Sequence, residues 1–179
     1  MGKVRVDGKS LSLGDVAAVA RKDVKIEVTN EAKAHVVKAS RLIDRWVSEG
    51  KVIYGVTTGF GPMYNKIIPS KMAKLLQENL VRSHSAGVGD YLPKDVVRAS
   101  MLVRANSLAC GHSGVRLETL ATLVKMVNEG VHPLIPELGS VGASGDLAPL
   151  SHMVLVMIGE GKAEYRGRLM DGGEAMDEA

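Results

Sequence analysis

Apolar and polar positions alternate weakly over residues 3–13: Val4 and Val6, then Asp7-Gly8, then Leu11 and Leu13. An Asp-Gly pair between two short alternating runs predicts a small hairpin. Ser12-Leu13-Gly14-Asp15 leads into a short helix over Val16–Arg21, and Val24–Val28 alternates cleanly as a strand. The period then lengthens to that of a helix. Asn30 caps a predicted helix from Glu31 to about Glu49, with Val36, Ala39, Ile43, Trp46 and Val47 on one face and Gly50 ending it. Three further stretches repeat the pattern. Ser70 caps a helix carrying Met72, Leu75, Leu76 and Leu80. Pro93 opens one with Val96, Val97, Met101, Ala105 and Leu108 inward, ending near Gly111. The third, Val115–Glu129, turns Leu117, Leu120, Leu123, Val124 and Val127 to the core and stops at Gly130.

The segments between these helices are richer in glycine. Val52-Ile53-Tyr54 is a short extended piece entering Gly55-Val56-Thr57-Thr58-Gly59-Phe60-Gly61-Pro62. Three glycines followed by proline predict a mobile or sharply turned loop, the kind of segment that carries function. Tyr54 heads it, either as a packing anchor or as a reactive phenol. Arg82-Ser83-His84-Ser85 ends a helix and runs into Ala86-Gly87-Val88-Gly89, which reads as a polar site rim. His84 suits either a ligand contact or a cap on the helix carbonyls.

Val131–Glu137, with two prolines, is an extended connector into Gly139–Gly161. There Asp146 is placed to N-cap the apolar run Leu147–Ile158, with Pro149 in its first turn. His152 is expected to pack against or hydrogen-bond the preceding loop. Ala163–Met170 reads as a hairpin with Gly167 in the turn, and the acidic tail DGGEAMDEA is expected to fray. The fold class is mainly α, with short β-hairpins and one Gly-rich loop.

Composition narrows the classes. A chain of 179 residues with 45% hydrophobic and 24% charged residues can build one domain, residues 1–179, around a real core. The net charge of +3, without a Lys/Arg block or an aromatic platform, points away from nucleic acid and membrane surfaces. Cys110 is the only cysteine, so no internal disulfide forms and a cytoplasmic setting fits. It is expected to be a buried small apolar residue. The N-terminus lacks a signal-peptide core, and the longest apolar run, Met153–Ile158, is too short to span a bilayer. His35 and His132 read as structural, and His112-Ser113-Gly114 as a turn. No histidine pair has metal-ligand spacing, and neither a GxGxxG nor a P-loop motif occurs. No metal and no external cofactor are therefore expected.

The triplet Ala143-Ser144-Gly145 permits unusual chemistry. An unhindered Gly145 amide nitrogen can close on the Ala143 carbonyl carbon with loss of water. Loss of the Ser144 hydroxyl as a second water then leaves a five-membered ring with an exocyclic methylene. Ordinary side chains offer no electrophile, so attack on an electron-rich substrate without an external cofactor needs a group of this kind. As a bare tripeptide, Ala-Ser-Gly reads equally as a turn before a cap.

Its surroundings decide. The run GSVGASGDLAPLSH resembles the signature of the aromatic amino acid ammonia-lyase and aminomutase family, and YGVTTGFG and LVRSHSAGVG lie upstream in that family's order and spacing. The resemblance covers nearly all of Lys51–Gly161. It implies the N-terminal region of the ammonia-lyase fold, and a 4-methylidene-imidazole-5-one (MIO) group formed from Ala143, Ser144 and Gly145. It also implies Tyr54 as the group that moves the β-proton, with Gly55, Thr58, Gly59, Phe60 and Gly61 as its loop.

The reaction the resemblance implies removes ammonia from an aromatic amino acid and leaves an α,β-unsaturated acid. The helix starting at Asp146 can steady negative charge at the electrophile. Ser83-His84 resembles the pair in histidine-specific members, where the histidine helps bind an imidazole, so L-histidine and its product urocanate come first. Tyrosine lyases and tyrosine 2,3-aminomutases carry a similar RSHSAGVG and come second.

Family members are much longer. The resemblance implies a downstream helical bundle, a second catalytic tyrosine and a carboxylate-binding arginine, all expected to lie outside these 179 residues. The resemblance implies a homotetramer, or a complementing C-terminal chain, with sites shared among subunits. The opposing expectation is a non-catalytic fragment or assembly subunit in which Ala143-Ser144-Gly145 never cyclises.

Overall fold

A computed structural model describes residues 2–140, 145 and 147–179, and for Ser70 the backbone alone. Helices dominate, as the periodicity predicts. Helix α1 (Leu13–Lys22) opens on a capping box in which the Ser12 side chain accepts from the Asp15 amide and Asp15 accepts in return from the Ser12 amide. Helix α2 spans Asn30–Ser48. Its cap is Thr29 rather than Asn30, because the Thr29 hydroxyl accepts from the Ala32 amide. Helices α3 (Ala73–His84), α4 (Lys94–Ala109), α5 (Leu117–Glu129) and α6 (Leu147–Met157) follow the expected segments. Gly130 closes α5 with φ 80°, the left-handed conformation that favours glycine at this position.

Helix α4 forms the centre of the core. Val97, Met101, Leu102, Ala105 and Ala109 are buried on it, packed with Val19, Val36, Leu120, Leu123 and Met126 from the surrounding helices. Because α4 is covered on several sides, it buries more than one stripe. Val96, which the sequence assigns to its inner face, is 41% exposed, whereas Arg98 is buried.

The strands depart most from expectation. Strand β1 (Val4–Val6) does not fold back through Asp7-Gly8 into a hairpin. It pairs in parallel with β2 (Ile26–Val28), Val4 opposite Ile26 and Val6 opposite Val28, and α1 supplies the crossover a parallel pair needs. The Asp7 carboxylate instead accepts from the Lys9 and Ser10 amides, and the Gly8 amide donates to Asn106 Oδ1. The chain is thereby sent into α1. Asn128 acts as a further partner to β2, accepting from the Ile26 amide and donating to its carbonyl.

Val88-Gly89, read as part of a loop rim, lies in strand β3 (Val88–Tyr91), antiparallel to β5 (Pro136–Leu138). Strand β4 (His132–Pro133) joins the predicted hairpin of β6 (Lys162–Tyr165) and β7 (Arg168–Asp171). Arg166 and Gly167 both have positive φ, the signature of a tight hairpin turn.

The acidic tail is not frayed. It forms α7 (Gly172–Glu178), with Ala175 fully buried and Glu178 paired to Arg168 at 2.7 Å. Its first glycine packs so tightly that a Cβ there would collide with the Glu160 carbonyl. Cys110 is half-buried rather than buried, its Sγ 3.1 Å from the Gly8 carbonyl.

Candidate active site

The three segments that the sequence singles out occupy different settings. The first, residues 51–68, is closed on itself. Thr57 Oγ1 donates to the Lys51 carbonyl at 2.6 Å and accepts from the Ile53 amide at 2.9 Å. The Gly55 amide donates to Thr58 Oγ1, and Thr58 is buried. The Gly59 amide donates to the Lys66 carbonyl and the Ile68 amide to the Thr57 carbonyl.

Phe60 lies against Gly55, where a Cβ would come within 2.9 Å of the ring, so glycine at φ 70° is required there. Tyr54 meets Phe60 edge to face, centroids 6.1 Å apart, and its Oη accepts from the Gly61 amide at 3.2 Å. The Tyr54 side is nevertheless open, with 63% of the residue exposed. The sequence offers Tyr54 as either packing anchor or reactive phenol, and the geometry accommodates both, since the ring packs while the phenol is presented.

The second segment surrounds the end of α3. Ser83 Oγ donates to the Leu80 carbonyl at 3.0 Å, and His84 Nδ1 lies 2.9 Å from that same oxygen. His84 therefore caps its own helix. Nδ1 also lies 3.1 Å from Ser83 Oγ, so this ring nitrogen is turned to its own helix. No residue of α3 is fully buried.

The third segment is the approach to the Ala-Ser-Gly triplet. Ala143, Ser144 and the expected cap Asp146 lie outside the described residues. Gly145 is exposed with φ 77°, and among the described residues no atom lies within 4 Å of the place a Cβ would take. An open third position that only glycine occupies without strain fits the donor set the ring closure requires.

The second and third segments are brought together. β3 and β5 pair directly. A Cβ on Gly139 would sit 2.9 Å from Ala148 Cβ and 3.3 Å from Gly87 Cα. The Gly87 amide donates to His152 Nε2 at 3.1 Å, as the sequence anticipates for a histidine meeting a loop. Burial lowers the His152 pKa from its ordinary value, which favours the neutral ring that can accept.

Arg82 pairs with Glu160 through Nη2 at 2.6 Å and Nε at 3.1 and 3.2 Å, a contact no sequence signal announces. The Tyr54 loop is not joined to them: among the described residues the hydrogen bonds of residues 52–68 stay within the segment that the Lys51 carbonyl opens.

His132 is structural, as expected. It is buried against Arg98, whose guanidinium also donates to the Val19 and Val127 carbonyls. Among the described residues no group of three or more His, Cys, Asp or Glu could hold a metal ion, and no helix is long and apolar enough to cross a membrane.

Comparison with known proteins identifies the family. A family model described as aromatic amino acid lyase matches residues 11–179. Histidine ammonia-lyase of Alkaliphilus oremlandii is 54% identical over 179 residues, all of this chain and 35% of the relative. Among solved structures, ergothionase from Treponema denticola, an ergothioneine-degrading enzyme, matches with TM-score 0.95 at 34% identity, covering 99% of this chain and 35% of its own. Tyrosine aminomutase from Streptomyces globisporus matches with TM-score 0.91 at 40% identity, covering 99% of this chain and 33% of its own. The chain thus spans about a third of the length of the relatives it matches.

Proposed function

This chain belongs to the aromatic amino acid lyase family, and from that premise we propose that it furnishes the electrophile and one catalytic tyrosine of an ammonia-lyase acting on L-histidine to give urocanate. The observation that carries the reading is 54% identity to a histidine ammonia-lyase over the whole of this chain. Ser83-His84 supports it, because His84 turns Nδ1 to its own helix and so has its second ring nitrogen to offer an imidazole substrate.

Ala143, Ser144 and Gly145 are the residues that would form the MIO group. Once formed, that group supplies an electrophile that no side chain offers. The chain's own residues do the rest. Tyr54 moves the β-proton, its loop holds the phenol outward, and Thr57 and Thr58 lock the loop's ends. His84 orients the substrate ring. The helix dipole beyond Asp146 favours negative charge at its start. Completion of the site by polypeptide beyond these residues accords with the 63% exposure of Tyr54. A cytoplasmic homotetramer within histidine breakdown, or assembly with a complementing C-terminal chain, belongs to the same reading.

A second reading is tyrosine 2,3-aminomutase or tyrosine ammonia-lyase, favoured by the match to the Streptomyces globisporus enzyme. The deciding experiment supplies the family's downstream region in trans and compares ammonia release from L-histidine and L-tyrosine. Urocanate formation supports the first reading, and turnover of tyrosine alone replaces it with the second. No release from either, together with an intact mass that shows no loss of two waters, identifies an inactive fragment.

A further inference from the structure

The Ser83-His84 pair is bracketed in sequence by two polar tethers that reach α6 and the residues just beyond it. On one side Arg82 grips Glu160, just past the end of α6. On the other the Gly87 amide donates to His152, within α6. Helix α6 is also the helix that follows Gly145. We propose that His152 is a positioning residue that fixes the Ser83–Gly87 turn against the Gly145-linked helix, and so sets where His84 presents its ring. The proposal rests on the lyase reading and adds a role for a residue outside the reacting groups.

Three features carry it. First, Gly87 precedes strand β3, so its amide lies outside the strand ladder and needs another partner. The imidazole supplies one. Second, the contact leaves no room for slippage. A Cβ on Gly87 would come within 3.1 Å of Pro136 Cβ and 3.2 Å of His152 Nε2, while Gly139 presses on both Gly87 and Ala148. Pro136 and Gly139 lie on the approach to the triplet, so a shift of Gly87 is passed directly to that approach. Third, only a ring with Nε2 unprotonated can accept, which fixes the tautomer with hydrogen on Nδ1.

The test uses the 179-residue chain, with three readouts. Nitrogen-15 spectroscopy of the unsubstituted chain at neutral pH is expected to show His152 as the neutral Nδ1–H tautomer. Hydrogen exchange at the Gly87 amide is expected to speed up about tenfold in His152→Leu and to be restored in His152→Gln, whose carbonyl oxygen can accept. The core amides of Met101 and Leu102 report whether each variant keeps its fold. With the downstream region supplied, His152→Leu is expected to raise KM for the amino acid more than it lowers kcat, and His152→Gln to reverse this.

A protonated or Nε2–H ring overturns the proposal, as does Gly87 exchange that is equal in all three proteins, or kinetics unchanged by His152→Leu. Should His152→Leu unfold, the tautomer and the His152→Gln comparison decide. Absence of ammonia release from the unsubstituted protein overturns the lyase reading instead, and the tautomer and exchange results then show whether His152 holds the turn.

Discussion

Arg98 Nη1 stands 3.0 Å from His132 Nε2, and both side chains are buried. The arginine has no proton acceptor site, so the imidazole must accept and stay neutral. Burial, then the charges of Lys94 and Arg98, push the His132 pKa from 6.5 down to about 4. An unfolded histidine takes up its proton near pH 6.5, whereas the folded one resists until about pH 4. The stability this group contributes is therefore complete above about pH 6.5 and lost as pH falls toward about 4. The expected loss is roughly 2–3 kcal/mol. Urea midpoints measured between about pH 7 and about pH 4 check it, and His132→Gln should flatten that part of the profile. The lowered pKa of His152 acts in the same direction.

Arg98→Met is expected to destabilise the chain by about 3–5 kcal/mol. The guanidinium satisfies the Val19 and Val127 carbonyls, reaches His132, and pairs with Asp23 at 3.3 Å. Its loss strands those acceptors in the core. Equilibrium urea unfolding measures the change, and a shift under about 1 kcal/mol would show that the clamp contributes little.

Two glycine-to-alanine changes should separate stability from chemistry. At Gly111, φ is 74° and a Cβ would fall 2.6 Å from His35 Cβ and 2.8 Å from its carbonyl carbon. Gly111→Ala is expected to cost about 2 kcal/mol or more. At Gly145 the same change meets no atom of the described residues within 4 Å, so about 1–2 kcal/mol of backbone strain is expected. If the triplet cyclises as proposed, Gly145→Ala should also suppress the loss of two waters seen by intact mass. A variant that still loses both waters would remove Gly145 from the ring closure.

Tyr54→Phe removes one exposed hydrogen bond, from the Gly61 amide, and is expected to change stability by no more than about 1 kcal/mol. On the proposed mechanism it should lower ammonia release by about 10²–10⁴-fold. Thermal melts and the ammonia assay together decide, because unchanged turnover would leave the phenol without a catalytic role.

The helices were legible because their signals are local. Leu120, Leu123 and Val127 recur at helical spacing, and Gly130 marks the stop. The hairpin turn at Arg166-Gly167 was equally local. What escaped depends on partners far along the chain. Nothing near Asp7 reveals that its carboxylate and Asn106 divert the chain away from a hairpin. Nothing in the acidic tail reveals Arg168 waiting for Glu178. Nothing near Arg98 reveals that it is buried, which follows from α4 being covered on several sides. The site shows the same division. Each of its segments could be read alone, but the tethers Arg82–Glu160 and Gly87–His152 follow only from the packing of α3 on α6.

The closure of residues 51–68 upon themselves makes that segment a cassette. Exchanging it whole between family members carries the Thr57, Thr58 and Tyr54–Gly61 bonds across intact. A recombination point inside it separates donors from acceptors. Crossovers between related lyases and mutases therefore belong at Lys51 and Ile68, where the segment's own hydrogen bonding begins and ends.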